Sequence, residues 1–211
     1  MMSAMDPPLH ERVYDGIKDD YLAGQFVPGK RIDIQELATR HRSSKTPVRE
    51  AAFILVGEGL LTHHLDGGFL VPLREPTELI ELLEWHMQLI LTTLSGLKET
   101  ALRGALRQRF GHSPEPSAVS VANHAADIFS SLAEASGNRQ ATIQVRRLNE
   151  RLHYSRIAEA SCPATVASEL ARISNVDVAN LPKAVRRRVE AYHLKKIDHQ
   201  RKILLITEII K

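Results

Sequence analysis

The sequence predicts a mainly α chain in two parts: three helices with a small β-hairpin, followed by an all-α helical bundle. Three observations carry this reading. Apolar residues recur at helical spacing through three short segments that are finished by Gly59. Two brief strand-like runs follow, on either side of Leu65-Asp66-Gly67-Gly68. Beyond Pro76 nearly every stretch keeps the helical period, and no parallel-sheet pattern, internal repeat or low-complexity tract is visible.

The first helix is expected over Leu9 to Ala23, where Val13, Ile17 and Leu22 with Tyr14 and Tyr21 fall at helical spacing until Gly24 and Pro28-Gly29 interrupt them. Asp33 then reads as the N-cap of a short second helix. Glu36, three residues on, completes a capping-box pattern, Ile34, Leu37 and Ala38 supply its apolar face, and the helix ends near His41. Ser43 and Ser44 mark a turn. The third helix starts around Lys45, holds Pro47 in its first turn where a missing N–H is harmless, and buries Val48, Ala51, Ala52 and Leu55 until Glu58 and Gly59 close it. Leu60 to His64 and Phe69 to Val71 supply the hairpin. Three helices and a hairpin in this order make a winged helix-turn-helix, assigned to residues 1–73.

Pro72 and Pro76 bracket a linker, and residues 77–211 form the helical part. Helices are expected near 77–95, 97–110, 117–136, 139–160, 164–174 and 181–209, with the clearest breaks at Gly111 to Pro116 and at Ser136-Gly137-Asn138.

Composition limits what such a chain does. Of 211 residues, 43% are apolar and 25% charged, enough to fill two cores and too apolar for disorder. A net charge of +3 is only mildly basic, so any nucleic-acid argument rests on where the charge sits. Cys162 is the sole cysteine, which excludes an internal disulfide and multi-cysteine zinc sites and reads as a small buried apolar residue. Met1 to Arg12 lacks the apolar centre of a signal peptide and no stretch approaches the roughly 20 apolar residues of a membrane span, so a cytoplasmic location is expected. No phosphate loop, nucleophile elbow, HExxH or paired-carboxylate motif appears, which argues against an enzyme.

The positive signal lies at the third helix. A recognition helix enters the major groove by its N-terminal end, and here that end carries Ser44, Lys45, Thr46 and Arg49, with Gln35 on the preceding helix near enough to join. Hydroxyls and helix N-terminal amides suit phosphate oxygens, and a guanidinium can fork onto guanine O6 and N7. Arg40, Arg42, Lys45 and Arg49 form the densest basic cluster of this part, although Asp15, Asp19 and Asp20 offset it.

Pro28-Gly29, Glu36-Leu37-Ala38, Thr46-Pro47-Val48-Arg49-Glu50-Ala51, Glu58-Gly59-Leu60 and the Gly68 wing resemble the GntR family of bacterial regulators over residues 9 to 72. The resemblance implies that Arg49 and the residues just before it contact operator DNA while the wing reaches the minor groove; Arg42, His64 and Gly68 are further candidate contacts. Three departures stand out. Gln35 replaces a frequent arginine, Arg42-Ser43 replaces the usual Gly-Val, and the wing tip lacks a basic residue, leaving His63 or His64 to supply the contact.

The helical part resembles the FCD effector-binding branch of that family, in its VanR-like division with six helices, on the helix order and the helix end Leu132-Ala133-Glu134-Ala135-Ser136-Gly137-Asn138. The branch implies a homodimer and a small-molecule effector, often an acidic metabolite held through a divalent metal by a carboxylate and three histidines. That ligand set is incomplete here. Its paired Asp and His positions fall at Ala125 and Phe129, no histidine lies between His153 and His193, and only His193 looks retained, with His124 and Asp127 as weak replacements. Without a metal, Trp85, His86, Arg147, Asn149, His153, Tyr154 and His193 are the candidate effector-binding side chains. The branch's usual arginine falls near Trp85, which suggests an aromatic or less acidic ligand. The expectation is a repressor released from palindromic DNA by an organic or aromatic acid; a metal-dependent acid sensor, or a DNA-binding protein without an effector, are the alternatives.

Overall fold

The computed structural model describes residues 8–107, 117–160 and 162–210, without side chains for 208–210. The chain separates into two compact units, Met1–Leu73 and Arg74–Lys211. Among the described residues no helix is long and apolar enough to cross a membrane.

The first unit contains α1 (Leu9–Leu22), α2 (Ile34–Arg40), α3 (Lys45–Gly57), β1 (Thr62–His63) and β2 (Phe69–Leu70). Val13, Ile17 and Tyr21 of α1 pack with Leu37, Ala38, Val48, Ala51 and Leu55, and Leu60, Phe69 and Val71 close the core from the hairpin side. Polar bridges fix the helices: Tyr14 donates to Glu58 at 2.7 Å, Lys18 pairs with the same carboxylate at 3.1 Å, and Asp20 holds both Arg40 and His41. Asp33 caps α2 as expected, accepting from the N–H groups of Gln35 and Glu36. The reciprocal half of the capping box is not formed, because the Glu36 carboxylate takes Arg40 one turn on.

The α2–α3 turn closes as a Schellman motif: Ser43 N–H donates to Ala38 O and Arg42 N–H to Thr39 O. The residue that must then be left-handed is Arg42, at φ 49°. Glycine ordinarily takes such a position because it has no Cβ to crowd the following carbonyl.

The wing is shorter than the sequence suggests. β1 and β2 are two residues each, antiparallel, with Thr62 opposite Leu70 and His63 opposite Phe69. The segment before α2 lies along β2: Gly29 N–H donates to Val71 O, Ile32 N–H to Phe69 O, and Arg31 forms an isolated bridge with Leu70.

The second unit holds α4 (Pro76–Leu94), α5 (Glu99–Arg107), α6 (Ala118–Glu134), α7 (Arg139–Arg151), α8 (His153–Glu159), α9 (Pro163–Ser174) and α10 (Leu181–Ile210). The single helix expected over 139–160 is broken at Leu152, whose ψ of −2° opens the ladder for one residue while Leu152 N–H still reaches Leu148 O. No Pro or Gly marks that break, so seven helices stand among the described residues of this unit where the sequence predicts six, and the helix number does not point to one division of the branch. Ser136-Gly137-Asn138 is a break as expected: Gly137 sits at φ 69° and Asn138 caps α7. Gly111 to Pro116, and the end of the helix expected to 110, lie outside the described residues. Cys162 is exposed and not buried, because Pro163 opens α9 and leaves the cysteine at the cap position before it. Phe129 and Ile128 of α6 lie at the centre of the main core with Ile90, Leu132, Val145, Leu170 and Val189.

Candidate nucleic-acid interface and a buried polar cluster

In the first unit, the start of α2, the exposed face of α3 and the wing border one groove of about 890 Å³. α3 contributes Lys45, Arg49 and Phe53, four residues apart and all exposed, because Val48, Ala51, Ala52 and Leu55 turn the opposite face to the core. α2 contributes Gln35, Glu36 and Arg40; the wing contributes His63, Gly68 and Phe69; the preceding segment contributes Lys30 and Arg31. Five cations thus face two carboxylates, Asp33 and Glu36. Arg40 is taken by Asp20 and Glu36. Among the described residues, Lys30, Arg31, Lys45 and Arg49 have no carboxylate partner, so their charge is directed to solvent.

Of the side chains expected at such an interface, the structure brings Gln35, Lys45, Arg49 and Gly68 together along this groove. Arg42, Ser44 and Thr46 are exposed at the α3 N-terminus but are not among its lining. The groove-facing histidine is His63, not His64: its ring packs against Phe69 at 5.5 Å and Phe53 at 5.8 Å. His64 is turned into the hairpin, where its Nδ1 accepts from Asp66 N–H at 3.1 Å. Lys30 and Arg31 were not legible as site residues, because only the pairing of their segment with β2 carries them to the wing.

In the second unit a polar cluster is enclosed in the core. His86 of α4 and His193 of α10 are fully buried, with Nδ1 of the first 2.8 Å from Nε2 of the second. His193 Nδ1 lies 2.7 Å from Val189 O, and a carbonyl can only accept, so that nitrogen carries the proton. Neutral His193 then accepts at Nε2 from His86, leaving His86 Nε2 a bare acceptor that is buried and makes no hydrogen bond among the described residues. Burial, with a smaller contribution from the Arg156 guanidinium, lowers both histidines, His193 to about 4 and His86 well below its ordinary value.

Arg156 of α8 is 7% exposed. Its Nη2 donates to Asn149 Oδ1 at 2.9 Å, and its guanidinium lies 5.6 Å from the Phe129 ring centroid. Nε and Nη1 make no hydrogen bond among the described residues. Asn149 donates in turn to Ala126 O and Ser130 Oγ. Burial lowers the guanidinium's affinity for its proton, and Tyr192 and Glu159 partly restore it.

Of the side chains expected to meet an effector, His86, Asn149 and His193 belong to this cluster, while His153 and Tyr154 are buried beside it on α8. Trp85 is 51% exposed, and Arg147 is exposed, so neither joins. On α4 the inward face is Leu82, Leu83, His86 and Ile90, and on α7 it is Val145, Leu148 and Asn149, which turns both residues outward. The cluster instead encloses Arg156, a cation that the sequence reading did not single out. Nothing in its local sequence marks it, since an arginine is driven inside only by the packing around it.

The residues present do not fit a divalent metal held in the manner of the FCD branch. Phe129 stands 4.9 Å from the His86 ring and 5.1 Å from the His193 ring, filling the space with hydrocarbon. Among the described residues no three His, Cys, Asp or Glu side chains gather as a metal site. His124 is half-buried beside exposed Asp127 and is not brought together with His193.

Residues 9–71 match the model of the bacterial regulatory proteins of the gntR family. The Nta operon transcriptional regulator of Aminobacter aminovorans is 30% identical over 138 residues, 62% of this chain and 65% of that protein's own length. Solved structures share the fold. A transcriptional regulator GntR from Rhodococcus sp. RHA1 superposes with a TM-score of 0.75 at 17% identity, covering 90% of this chain and 96% of that one. E. coli McbR/YncC superposes with a TM-score of 0.66 at 19% identity over 94% and 100%. Residues 9–71, with their cationic groove between α3 and the wing, are thus similar to the helix-turn-helix domain of the gntR family, and the chain spans just under two thirds of the length of the relative it matches.

Proposed function

We propose that this chain is a DNA-binding transcriptional regulator that grips operator DNA through the α3 N-terminus and the wing. The single observation that carries the reading is the groove in which Gln35, Lys45, Arg49 and Gly68 meet around cations left without carboxylate partners. Arg49 reads a guanine edge, Lys45 and the Ser44 and Thr46 hydroxyls hold phosphates, and Arg42 lies at the turn leading into them. A homodimer would set two such helices about one helical turn apart on a palindrome. In a mobility-shift assay at fixed salt, on duplexes selected from a random pool by the wild-type chain, Arg49→Ala should weaken specific binding by about 1–3 kcal/mol. Unchanged binding would refute the role.

The helical unit we read as an effector domain of the FCD kind acting without a metal, and the chain as a repressor. Support comes from Arg156, a buried cation whose Nε and Nη1 make no hydrogen bond among the described residues, in the same cluster as the bare acceptor His86 Nε2. Such a pair suits an organic acid that also carries a hydroxyl or amine. A thermal shift with small hydroxy or aromatic acids, absent with their amides and unaffected by zinc, tests it; a zinc-dependent shift would overturn the metal-free reading.

A further inference from the structure

The hairpin tip is unsuited to meet DNA by itself. It presents Leu65, fully exposed, and Asp66, whose charge repels phosphate. Yet a cation does stand at the wing, and it comes from outside the hairpin. The segment 29–32 runs beside β2 through the Gly29–Val71 and Ile32–Phe69 hydrogen bonds, and the Arg31–Leu70 bridge carries Arg31 to the hairpin. Its guanidinium lies on Gly68, where a Cβ would come within 2.9 Å of Arg31 Nε and a glycine at φ 91° leaves the room. Arg31 is exposed, has no carboxylate partner among the described residues, and lines the same groove as Lys45 and Arg49.

We propose that Arg31 is the wing's DNA contact, a phosphodiester-backbone clamp supplied by the strand-like segment before α2 in place of a basic wing tip. This rests on the DNA-binding reading above. The side chain reaches across Gly68 to the backbone flanking the site read by α3, and it adds affinity without sequence preference, since a phosphate carries no base information. Lys30, beside it in the groove, adds to the same field.

The test compares the full chain with Arg31→Ala and Arg31→Lys, on a duplex selected from a random pool by the wild-type chain and on a scrambled duplex of equal length, over a salt series. Arg31→Ala should weaken both duplexes alike, about fivefold near physiological salt, and flatten the slope of log affinity against log salt by about 1. Arg31→Lys should restore most of both. Loss confined to the selected duplex with the slope unchanged would mean base readout and overturn the proposal, as would a variant that matches wild type. The backbone bridge to Leu70 survives either substitution, and an unchanged melting curve checks it. If the wild-type chain selects no duplex the DNA-binding reading itself has failed; if it does, and Arg31→Ala is silent, only the clamp has.

Discussion

The His86–His193 pair makes the helical unit acid-labile, and the size of the effect follows from its surroundings. Both rings are fully buried, the Arg156 guanidinium disfavours their protonation, and Phe129, Tyr192 and Asn149 lie against the pair, none of these a carboxylate. Folded His193 gains a proton only near pH 4, whereas an unfolded histidine does so near 6.5. Between those values the unfolded state holds more protons, so stability rises with pH and falls on acidification. Above about 6.5 the full stability is present; each pH unit below removes roughly 1.4 kcal/mol for one such histidine. At pH 5 the loss from His193 alone is about 2 kcal/mol, a large share of a domain's usual 5–15 kcal/mol. Trp85, the only tryptophan, lies on α4 and reports this unit, so urea titrations followed by its fluorescence at pH 7.5 and pH 5 read the effect directly. The midpoint should fall at pH 5, and His193→Gln should lessen the fall. Midpoints unchanged between the two pH values would refute the assignment of a buried neutral pair.

Two further outcomes concern the DNA-binding unit. Arg42→Gly relieves a left-handed arginine at φ 49° and should raise stability by about 0.5–1 kcal/mol in chemical denaturation, after the extra unfolded-state entropy of glycine is deducted; operator affinity should drop if the strain is kept for a DNA contact. Asp33→Ala removes the acceptor for two α2 N–H groups and should cost about 1 kcal/mol in the same assay, with Asp33→Asn or Asp33→Ser recovering most of it.

Much of the first unit was legible because its signals are local. A cap residue, a proline in a first turn and a glycine after a last one act within a few residues of themselves, and α2, α3 and the positions of Lys45, Arg49 and Gly68 all follow from them. Arg31 was not legible, because its place at the wing depends on a pairing with Leu70, thirty-nine positions on, that no local pattern announces. In the helical unit the period located most helices, but period does not say which polar residue on a helix turns inward. His86 and Trp85 are neighbours, and only the phase of α4 against α10 decides that the histidine is enclosed and the tryptophan exposed. Arg156 is the stronger case, since burial of a guanidinium opposes its own solvation and is enforced by everything around it.

That enforcement can be tested. A buried cation with one hydrogen bond and a ring contact is a net cost to folding unless something else compensates it, and exchange of such a group for an apolar one of similar length is often stabilising. Arg156→Met should therefore leave the helical unit as stable as wild type or more so, by up to about 2 kcal/mol. It should also lessen the acid lability, because the guanidinium's repulsion of both histidines goes with it. If the arginine is kept for an acidic effector, the same substitution abolishes the thermal shift that an acid produces, so stability is gained where sensing is lost. A loss of more than about 2 kcal/mol would reverse the argument, because truncation leaving partners stranded in the core is what costs that much. The Arg156–Asn149 bond would then be a strut of the α7–α8 packing, and the effector would have to be sought elsewhere in the bundle.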